Sequence, residues 1–545
     1  MKKHINKLII IAILLLAFAL RFYKLNSYPA LNADEAAIGY NAYSLIQTGK
    51  DEHGNSWPIQ FQSFNDYKPG LYVYLVMPFI KVLGLNEWAV RIPGAFLGVV
   101  TVYVVYLLIK ELFPKEKFAY IASLLLAISP WHIHFSRGGW EVNVATFLIS
   151  LGIYLFIKAF KFPKNYFFSI ISFCLSLYTY HAARIIVPLL GFGLLIIYWR
   201  EIGKNIKTFI LSLILGIIIL IPLGIDITKS DSMSRFSGVG LLADAGPISK
   251  VNEQRGEHSN LDNLLTKLFH NKVVNYSLAF IENYSEHFHG EYLFLSGEDI
   301  QRNKVPETGQ LFLIELVFLI AGLIFILRSD DKNWRIIIYW FLISPLAAAL
   351  TFQSPHALRS QNMVIPITII IGYGVLGVVN LLMNMIKKKK LKFIPVLVVS
   401  LLLVWQFGMY LHMYWVHMAK EYPYSSQYGV KELVEYVSEN QDRFKNIVVT
   451  DRYDQPYILF LFYLKYPPKD FQYKHSLTPR DQYGFSTVRE FDKYVFISIN
   501  DWDKIRAEYR DSLVVGTDEE IFDETNIVKV INFPNGQPVF KVVAN

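Results

Sequence analysis

Long apolar runs, separated by short polar segments, fill the first 412 residues of the chain. A helix needs about 20 mostly apolar residues to cross a bilayer. Runs of about that length lie near residues 8–25, 91–111, 118–135, 142–158, 166–180, 184–199, 208–226, 310–328, 335–352, 362–384 and 393–412. The shorter stretch Gly70–Gly84 is typical of an interfacial or re-entrant helix. The pattern predicts an all-α polytopic membrane protein with about 11 transmembrane helices.

Basic residues in the connections give these helices an orientation. The N-terminus carries Lys2, Lys3 and Lys7, and every second connection carries another basic cluster, the last at Lys387–Lys390. Lys and Arg favour the cytoplasmic side of a membrane. We therefore expect a cytoplasmic N-terminus, a first outer loop over about 26–90 and a long outer loop over about 227–309.

The N-terminal run also has features of a cleaved signal peptide. It has a basic start, an apolar run and the small-residue pattern Ala17-Phe18-Ala19. We favour a retained first span because ten further spans follow and because polar residues that look functional come directly after the run.

The character of the sequence changes after residue 412, where charged and polar residues return. The local patterns predict helices at Lys431–Asn440 and Tyr457–Tyr466 and strands at Asn446–Thr450, Tyr494–Ile499, Val528–Asn532 and Val539–Val543. We expect a transmembrane module over 1–412, followed by a small α/β domain over 420–545. The number of spans places that domain outside the cytoplasm.

Composition supports the membrane interpretation. Hydrophobic residues make up 53% of the chain and charged residues only 18%, against about 25% in soluble proteins. The net charge of +8 is spread between hydrophobic runs, so nucleic acid is not an expected partner. The single cysteine, Cys174, excludes an intramolecular disulfide and any metal site built from several cysteines.

The unusual polar residues lie on the predicted outer side. The first outer loop carries Asn32-Ala33-Asp34-Glu35 and Asn65-Asp66-Tyr67-Lys68-Pro69. Later outer segments contain Trp131, His132, Arg137 and Glu141, then Tyr180, His181 and Arg184, and finally His356 and Arg359. Ionisable groups near membrane depth are costly, so this one-sided distribution indicates a function.

These residue types suit one kind of chemistry. A carboxylate at the interface can act as a general base on a hydroxyl or an amine. Nearby Arg and Lys side chains can hold a phosphate by charge-assisted hydrogen bonds. The layout predicts a site for a lipid-phosphate-linked donor and a water-side acceptor.

Several segments resemble the GT-C superfamily of polyprenyl-phosphate-sugar-dependent glycosyltransferases. They are Asp34-Glu35 after the first span, Tyr67-Lys68-Pro69 at a helix start and Arg91-Ile92-Pro93-Gly94 at the next span. The segments SPWHIHFSR, GEDIQRNKVPETGQ and HALR are also similar. Over about residues 1–400, the chain resembles the bacterial protein O-mannosyltransferase and aminoarabinose (lipid A) transferase group. It departs from the group in reading Lys-Pro-Gly where many relatives have Lys-Pro-Pro, and in a C-terminal domain that resembles no named acceptor-binding module.

The resemblance implies an inverting glycosyltransferase of the bacterial inner membrane. It would move a sugar from a polyprenyl phosphate, such as undecaprenyl phosphate, to an extracytoplasmic protein, lipid or glycan. Asp34 is expected to be the general base with Glu35 beside it, and Lys68, Arg184 and Arg359 are expected to bind the donor phosphate. The expected substrate-binding residues are Asp66, Tyr67, Trp131, His132, Arg137, Glu141, Tyr180, His181 and His356. No cofactor is called for, although Glu35, Asp66 and Glu141 could hold a divalent cation such as Mg²⁺ or Mn²⁺.

Simpler explanations exist for the same residues. Asp34 and Glu35 could cap a helix, Lys68 could anchor at the interface, and Arg137 could form a structural ion pair with Glu141. As a whole, the chain could instead be a transporter or flippase of lipid-linked glycans. Transporters, however, place their polar groups near the bilayer midplane within paired repeats, and no repeat is visible here.

Overall fold

The computed structural model describes residues 2–64, 66–113, 115–229, 240–259, 263–481, 486–522 and 525–545. The first ten helices are α1 (Lys2–Phe22), α2 (Ala33–Thr48), α3 (Leu71–Leu83), α4 (Glu87–Leu112), α5 (Glu116–Ile128), α6 (Pro130–Arg137), α7 (Glu141–Lys158), α8 (Asn165–Leu177), α9 (Ala183–Gly203) and α10 (Ile206–Lys229). Later helices span Gly246–Gly256, Leu264–Phe269, Lys272–Glu286, Glu315–Leu327, Trp334–Ile343, Leu346–Ala349, Val364–Met385, Ile394–His412, Met418–Glu421, Val430–Asn440, Pro456–Leu464, Pro468–Lys474 and Trp502–Glu508. Short 3₁₀ turns lie at Leu241–Ala243, Gln301–Asn303, Gln361–Met363, Lys389–Leu391 and Gln441–Arg443, and π-turns at Glu291–Leu295 and Met413–His417.

Every predicted membrane run becomes a helix or a pair of helices, so the chain is a multi-pass membrane protein. Among the described residues, six helices are long and apolar enough to cross a membrane, or seven if the bent pair α5 and α6 is one span. The six are Glu87–Leu112, Glu141–Lys158, Ala183–Gly203, Ile206–Thr228, Gln361–Met385 and Lys389–Glu421. Other predicted spans are the shorter apolar helices Asn165–Leu177, Glu315–Leu327 and Trp334–Ala349. Length and composition therefore support fewer full spans than the predicted number.

Two of these helices pack with their backbones in contact. A Cβ atom added to Gly374 would lie 1.9 Å from the carbonyl oxygen of Phe318, and one added to Gly322 would lie 2.3 Å from that of Ile370. Helices Glu315–Leu327 and Val364–Met385 can approach this closely only because both positions lack a side chain.

The long predicted outer loop has much regular structure. Between residues 240 and 295, it contains three α-helices, a 3₁₀ turn and a π-turn. Residues 230–239 and 260–262 lie outside the described residues. These helices were not predicted from the sequence, although Lys272–Glu286 is amphipathic.

The described chain separates into two compact units. The first comprises Met1–Arg21, Phe96–Ser136 and Glu141–Leu411, and the second comprises Phe22–Ala95, Arg137–Trp140 and His412–Asn545. The second unit therefore includes residues that sequence reasoning had assigned to a separate membrane module.

A six-stranded sheet forms the C-terminal part of the second unit. Its strands are β3 (Asn446–Thr450), β4 (Glu490–Phe491), β5 (Tyr494–Ile497), β6 (Ser512–Gly516), β7 (Ile527–Asn532) and β8 (Pro538–Ala544), in the order β4-β5-β3-β6-β8-β7. Strand β3 is parallel to both β5 and β6, and the outer pairs are antiparallel. Val448, Val514 and Val543 from three neighbouring strands share a core with Trp502 and Ile505. This arrangement agrees with the predicted α/β character.

The same unit contains the first outer loop. Strands β1 (Gln60–Ser63) and β2 (Asp66–Pro69) form an antiparallel hairpin in which Phe61 lies opposite Lys68. Helix α2 packs on the C-terminal segment, where the amide of Ala33 donates to Gln427 Oε1 at 2.7 Å. Near the middle of α2, the Tyr40 hydroxyl donates to the carbonyl of Tyr466 at 3.0 Å. The C-terminal residues thus hold the helix that carries Asp34 and Glu35.

Candidate active site

A capping box starts α2 and sets the positions of its two acids. The side chain of Asn32 accepts from the amide of Glu35 at 3.0 Å, and Glu35 Oε2 accepts from the amide of Asn32 at 3.3 Å. This reciprocal pattern satisfies amides that have no partner within the helix. Asp34 and Glu35 therefore lie in the first turn of α2, with side chains that leave the helix in different directions.

Asp34 forms an ion pair with Lys68 of β2. The side chain of Asp34 is 23% exposed and that of Lys68 is 19% exposed. The Lys68 ammonium also lies 5.3 Å from the centre of the Phe64 ring. The two side chains are therefore in contact, and the Asp34 carboxylate is reachable from solvent.

Glu35 is held differently. Arg91 donates from Nε to Oε1 at 2.6 Å and from Nη2 to Oε2 at 2.7 Å, and the amide of Gly139 donates to Oε1 at 2.8 Å. Both side chains are buried. Both oxygens of Glu35 are thus engaged in a buried network, so the two acids of the predicted catalytic pair lie in different surroundings.

Arg91 was recognised only as part of a motif, and its partner was not predicted. Its guanidinium also donates to the carbonyls of Leu25 and Pro29 at 2.9 Å and of Ala30 at 3.1 Å. Arg91 therefore fixes the segment that leads into α2. A buried arginine at a predicted span end was the available signal, since such a charge needs a partner.

Arg137 is also held within the second unit. It donates from Nε to the Tyr414 hydroxyl at 3.0 Å and from Nη2 to the carbonyls of Tyr23 and Tyr28 at 2.8 and 3.0 Å. Its guanidinium lies 4.7 Å from the centre of the Trp415 ring. These contacts favour a structural role over the predicted contact with substrate.

The remaining predicted residues of the hairpin lie beside Lys68. Tyr67 is opposite Gln62 in the register and is half-buried. Asp66 is opposite Ser63, and its side chain lies outside the described residues.

In the first unit, Trp131 and His132 are buried at the start of α6. Trp131 Nε1 donates to the carbonyl of Ala357 at 3.0 Å. Arg21 Nη2 donates to His132 Nδ1 at 2.6 Å, since a guanidinium can only donate. Arg21 is fully buried in a predicted apolar span and was missed, although a charge at that depth signals a partner.

Two predicted phosphate ligands, Arg184 and Arg359, belong to the first unit and make different contacts. Arg184, at the start of α9, contacts His181 Nδ1 at 3.3 Å and donates to the carbonyl of Leu177 at 3.3 Å. Tyr180, which directly precedes His181 in the sequence, is buried. Glu141 is half-buried at the first position of α7. Arg359 donates to Thr351 Oγ1 at 2.7 Å.

A buried network holds the segment that contains His356. His356 Nδ1 lies 3.6 Å from Glu298 Oε2, and Glu298 Oε1 accepts from the amide of Ala357 at 2.8 Å. The amide of His356 donates to His287 Nε2 at 3.2 Å. Burial raises the pKa of Glu298 to about 7 and lowers the pKa of His287 to about 4. Glu298 was noticed in the sequence but was not assigned to a site.

The described residues contain no group of three or more His, Cys, Asp or Glu side chains that could hold a metal ion. His287, from the histidine-rich segment near residue 290, uses both ring nitrogens in hydrogen bonds, to the carbonyl of Asn283 and from the amide of His356. Glu35 is bound by Arg91 rather than facing a cation site.

Residues 67–225 match the model of a family described as dolichyl-phosphate-mannose-protein mannosyltransferase. The match covers less than a third of the chain. The matched range includes Lys68, Arg91 and Arg184, whereas Asp34 precedes it and Arg359 follows it.

Two relatives of known sequence match part of the chain. An uncharacterised protein of Aquifex aeolicus (strain VF5) is 26% identical over 190 residues, which cover 34% of this chain and 36% of the relative. YycA of Bacillus subtilis (strain 168), whose mannosyltransferase name is itself an inference, is 26% identical over 172 residues, which cover 31% of this chain and 25% of the relative. The chain thus spans between a quarter and about a third of the length of these curated relatives.

Solved structures of similar fold confirm the predicted fold class. ArnT from Cupriavidus metallidurans in the apo state has a TM-score of 0.55 at 11% identity, covering 98% of this chain and 97% of ArnT. The same protein bound to undecaprenyl phosphate has a TM-score of 0.53 at 10% identity, with the same coverage. AglB from Archaeoglobus fulgidus, in complex with an inhibitory peptide and a dolichol-phosphate, has a TM-score of 0.52 at 13% identity, covering 85% of this chain and 64% of AglB.

Proposed function

We propose that the chain is an inverting membrane glycosyltransferase that moves a sugar from a polyprenyl phosphate to an acceptor outside the cytoplasm. The fold and the mannosyltransferase-family domain support the reaction class. The similar structure with bound undecaprenyl phosphate supports a lipid-phosphate donor. The predicted orientation places the reaction on the outer face of a bacterial inner membrane.

The observation that carries the proposal is the contrast between two ion pairs. The Asp34–Lys68 pair is partly exposed, whereas the neighbouring Glu35–Arg91 pair is buried. A general base must be ionised and reachable by the acceptor. Of the two acids in the first turn of α2, only Asp34 is partly exposed, and its partner is a lysine rather than a bidentate arginine. A lysine ammonium is a mobile point charge that can turn from one anion to another.

This mobility gives a sequence of events. A donor phosphate that approaches Lys68 competes with Asp34 for the ammonium, so donor binding loosens the ion pair and frees the carboxylate. Asp34 then takes the proton from the acceptor nucleophile, which bonds to the anomeric carbon while the bond from that carbon to the phosphate oxygen breaks. The electron pair leaves with the phosphate, where Lys68 stabilises the charge. Arg184 and Arg359 stay sequence-based predictions for further phosphate ligands.

The test is a transfer assay in proteoliposomes. Undecaprenyl-phosphate-linked mannose, glucose and aminoarabinose are supplied one at a time, and the lipid and acceptor products are identified by mass spectrometry. We expect release of undecaprenyl phosphate and a product whose anomeric configuration is opposite to that of the donor. A product of retained configuration would overturn the single-displacement mechanism. Movement of the intact lipid-linked sugar across the vesicle without cleavage would favour the transporter alternative.

A further inference from the structure

A second group of titratable residues lies in the same unit as Asp34 and Lys68. Glu52 and His53 follow α2, and His475 follows the helix Pro468–Lys474. Glu52 is fully buried, and the side chain of His53 is 5% exposed. None of the three belongs to the predicted site.

The hydrogen bonds determine where protons can sit. His475 Nδ1 lies 2.7 Å from the carbonyl of Phe471, which only accepts, so this nitrogen carries a hydrogen. In a neutral His475, Nε2 is then an acceptor, and His53 Nδ1, at 3.0 Å, must donate to it. A neutral His53 is left with a lone pair on Nε2, which faces Glu52 Oε1 at 3.8 Å.

A lone pair does not stabilise a buried carboxylate. The pairing is favourable only if one additional proton is present, either on Glu52 or on the two imidazoles. Glu52 Oε2, His53 Nε2 and the Tyr457 hydroxyl are buried and make no hydrogen bond within the described residues. Burial raises the pKa of Glu52 to about 8 and lowers the pKa of His53 to about 3, which places the proton on the carboxyl near neutral pH.

This cluster is connected to the candidate base through α2 and β2. Asn41 donates to Glu52 Oε1 at 3.0 Å and accepts from the amide of Glu52 at 3.0 Å. Asn41 lies seven residues after Asp34, two turns along the same helical face. Burial raises the pKa of Glu52, the hydrogen bond from Asn41 lowers it, Asp51 raises it, and the positive charge of Lys68 lowers it by the smallest amount of the four. Lys68 thus forms an ion pair with Asp34 and also interacts electrostatically with Glu52.

We propose that Glu52, His53 and His475 hold one proton in common, and that this proton keeps Glu52 neutral so that Lys68 serves Asp34 and the donor phosphate. Glu52 is then a positioning residue, which acts through Lys68 and does not touch the substrate. When the shared proton leaves, the Glu52 carboxylate becomes a second anion for Lys68 and draws the ammonium away from the reaction. The link to transfer rests on the proposed function, whereas the shared proton does not.

Among the described residues, the titratable groups that act on the cluster are Asp51, Tyr40, Tyr457 and Lys68. A backbone hydrogen bond of Gln62 raises the pKa of His53 against the larger effect of burial. Asp51 is engaged by its own turn, where it accepts from the amides of His53 and Asn55. The charge change on proton loss at Glu52 therefore acts on Asp51 and on Lys68.

Infrared spectroscopy of the full protein in proteoliposomes tests the shared proton without any substrate. Wild type minus Glu52→Gln should show the C=O band of a protonated carboxyl at about pH 7, lost as the pH rises past about 8. His475→Ala frees His53 to carry its hydrogen on Nε2, so the band should disappear at a lower pH. Glu298→Gln is the matched control, because it removes a different buried carboxyl and should leave this band unchanged.

The pH dependence of transfer tests the consequence. In wild type we expect the rate to fall about tenfold per pH unit above about pH 8, whereas Glu52→Gln, which is neutral at every pH, should stay flat for about one unit more. Absence of the carboxyl band, or a band that His475→Ala does not move, would overturn the shared proton. Identical alkaline profiles in an active wild type and an active Glu52→Gln would overturn the link to Lys68. A normal band in a protein without transfer activity would instead count against the proposed function alone.

Discussion

Arg91 and Glu35 form a buried bidentate pair in which two guanidinium nitrogens meet two carboxylate oxygens at 2.6 and 2.7 Å. Arg91 comes from α4, and its remaining hydrogen bonds hold the carbonyls of Leu25, Pro29 and Ala30. The acid next to Asp34 is therefore used to fix the chain before α2. This division of labour separates the expected effects of changing each acid.

Asp34→Asn should abolish most transfer while leaving the fold intact. The amide keeps the shape of the side chain and removes the proton acceptor, so we expect a rate loss of about 100- to 10,000-fold. Donor affinity should change little, as measured by titration with a labelled polyprenyl phosphate. If transfer by Asp34→Asn stayed close to wild type, Asp34 would be a helix-capping residue and not the base.

Removing Arg91 should damage stability more than any change at Asp34. Arg91→Met leaves the Glu35 carboxylate buried without its cation, which typically costs about 3–5 kcal/mol. We expect a lower thermal unfolding midpoint in detergent, and a partial recovery in the double variant Arg91→Met/Glu35→Gln because no buried charge is then left unpaired. A double variant no more stable than Arg91→Met would argue against direct coupling of the two residues.

Arg184→Ala and Arg359→Ala should weaken donor binding more than acceptor binding. Loss of a charge-assisted hydrogen bond to phosphate costs about 2–4 kcal/mol, or roughly 30- to 1000-fold in affinity. Lysine at either position should rescue only partly, because it cannot form a bidentate contact. Arg328→Ala, on the predicted inner side, serves as the control, and wild-type donor affinity in both test variants would remove them from the phosphate site.

The orientation of the chain can be tested by thiol labelling. Cysteines introduced at Ser259 and Ser425 should react with a membrane-impermeant reagent in intact cells, and one at Lys388 should not. The native Cys174 is buried and gives little background. Labelling at Lys388 would contradict the predicted alternation of basic clusters.

Glu298 should make stability depend on pH. Burial raises the pKa of Glu298 from 4.5 to about 7, so between these values the unfolded chain releases this proton before the folded chain does. Stability should therefore fall as the pH rises through this window, by on the order of 3 kcal/mol for this group. Glu298→Gln should flatten the change in unfolding midpoint between about pH 5 and pH 7.5; an unchanged slope would mean that Glu298 is ionised throughout.

Much of the membrane architecture could be predicted because a long apolar run in the sequence is itself a local signal for a membrane helix. The meeting of Asp34 and Lys68 was also foreseeable, since both lie on one predicted side of the membrane. The partner of Glu35 was not, because Arg91 lies 56 residues away and no local pattern encodes that distance. Strand β6 (Ser512–Gly516) was not predicted, although it is buried throughout in the same way as most of the predicted strand β3.

The long-range packing of α2 was equally hidden. Sequence reasoning separated residues 420–545 from the first outer loop because a long membrane region intervenes. The amide of Ala33 nevertheless bonds to Gln427, and Gly39 lies so close to the Phe462 ring that an added Cβ would be 2.6 Å away. Such a contact joins residues more than 390 positions apart.

The support of α2 by Gln427, Phe462 and Tyr466 also sets an order of events during synthesis. Residues 33–48 leave the ribosome early, yet the groups that complete their surroundings are made only near the end of translation. A chain interrupted before that point inserts its membrane helices but lacks the contacts that steady Asp34. Asp34 is therefore positioned only after the C-terminal segment has been made. Incomplete chains in the membrane would then be unable to consume lipid-linked sugar.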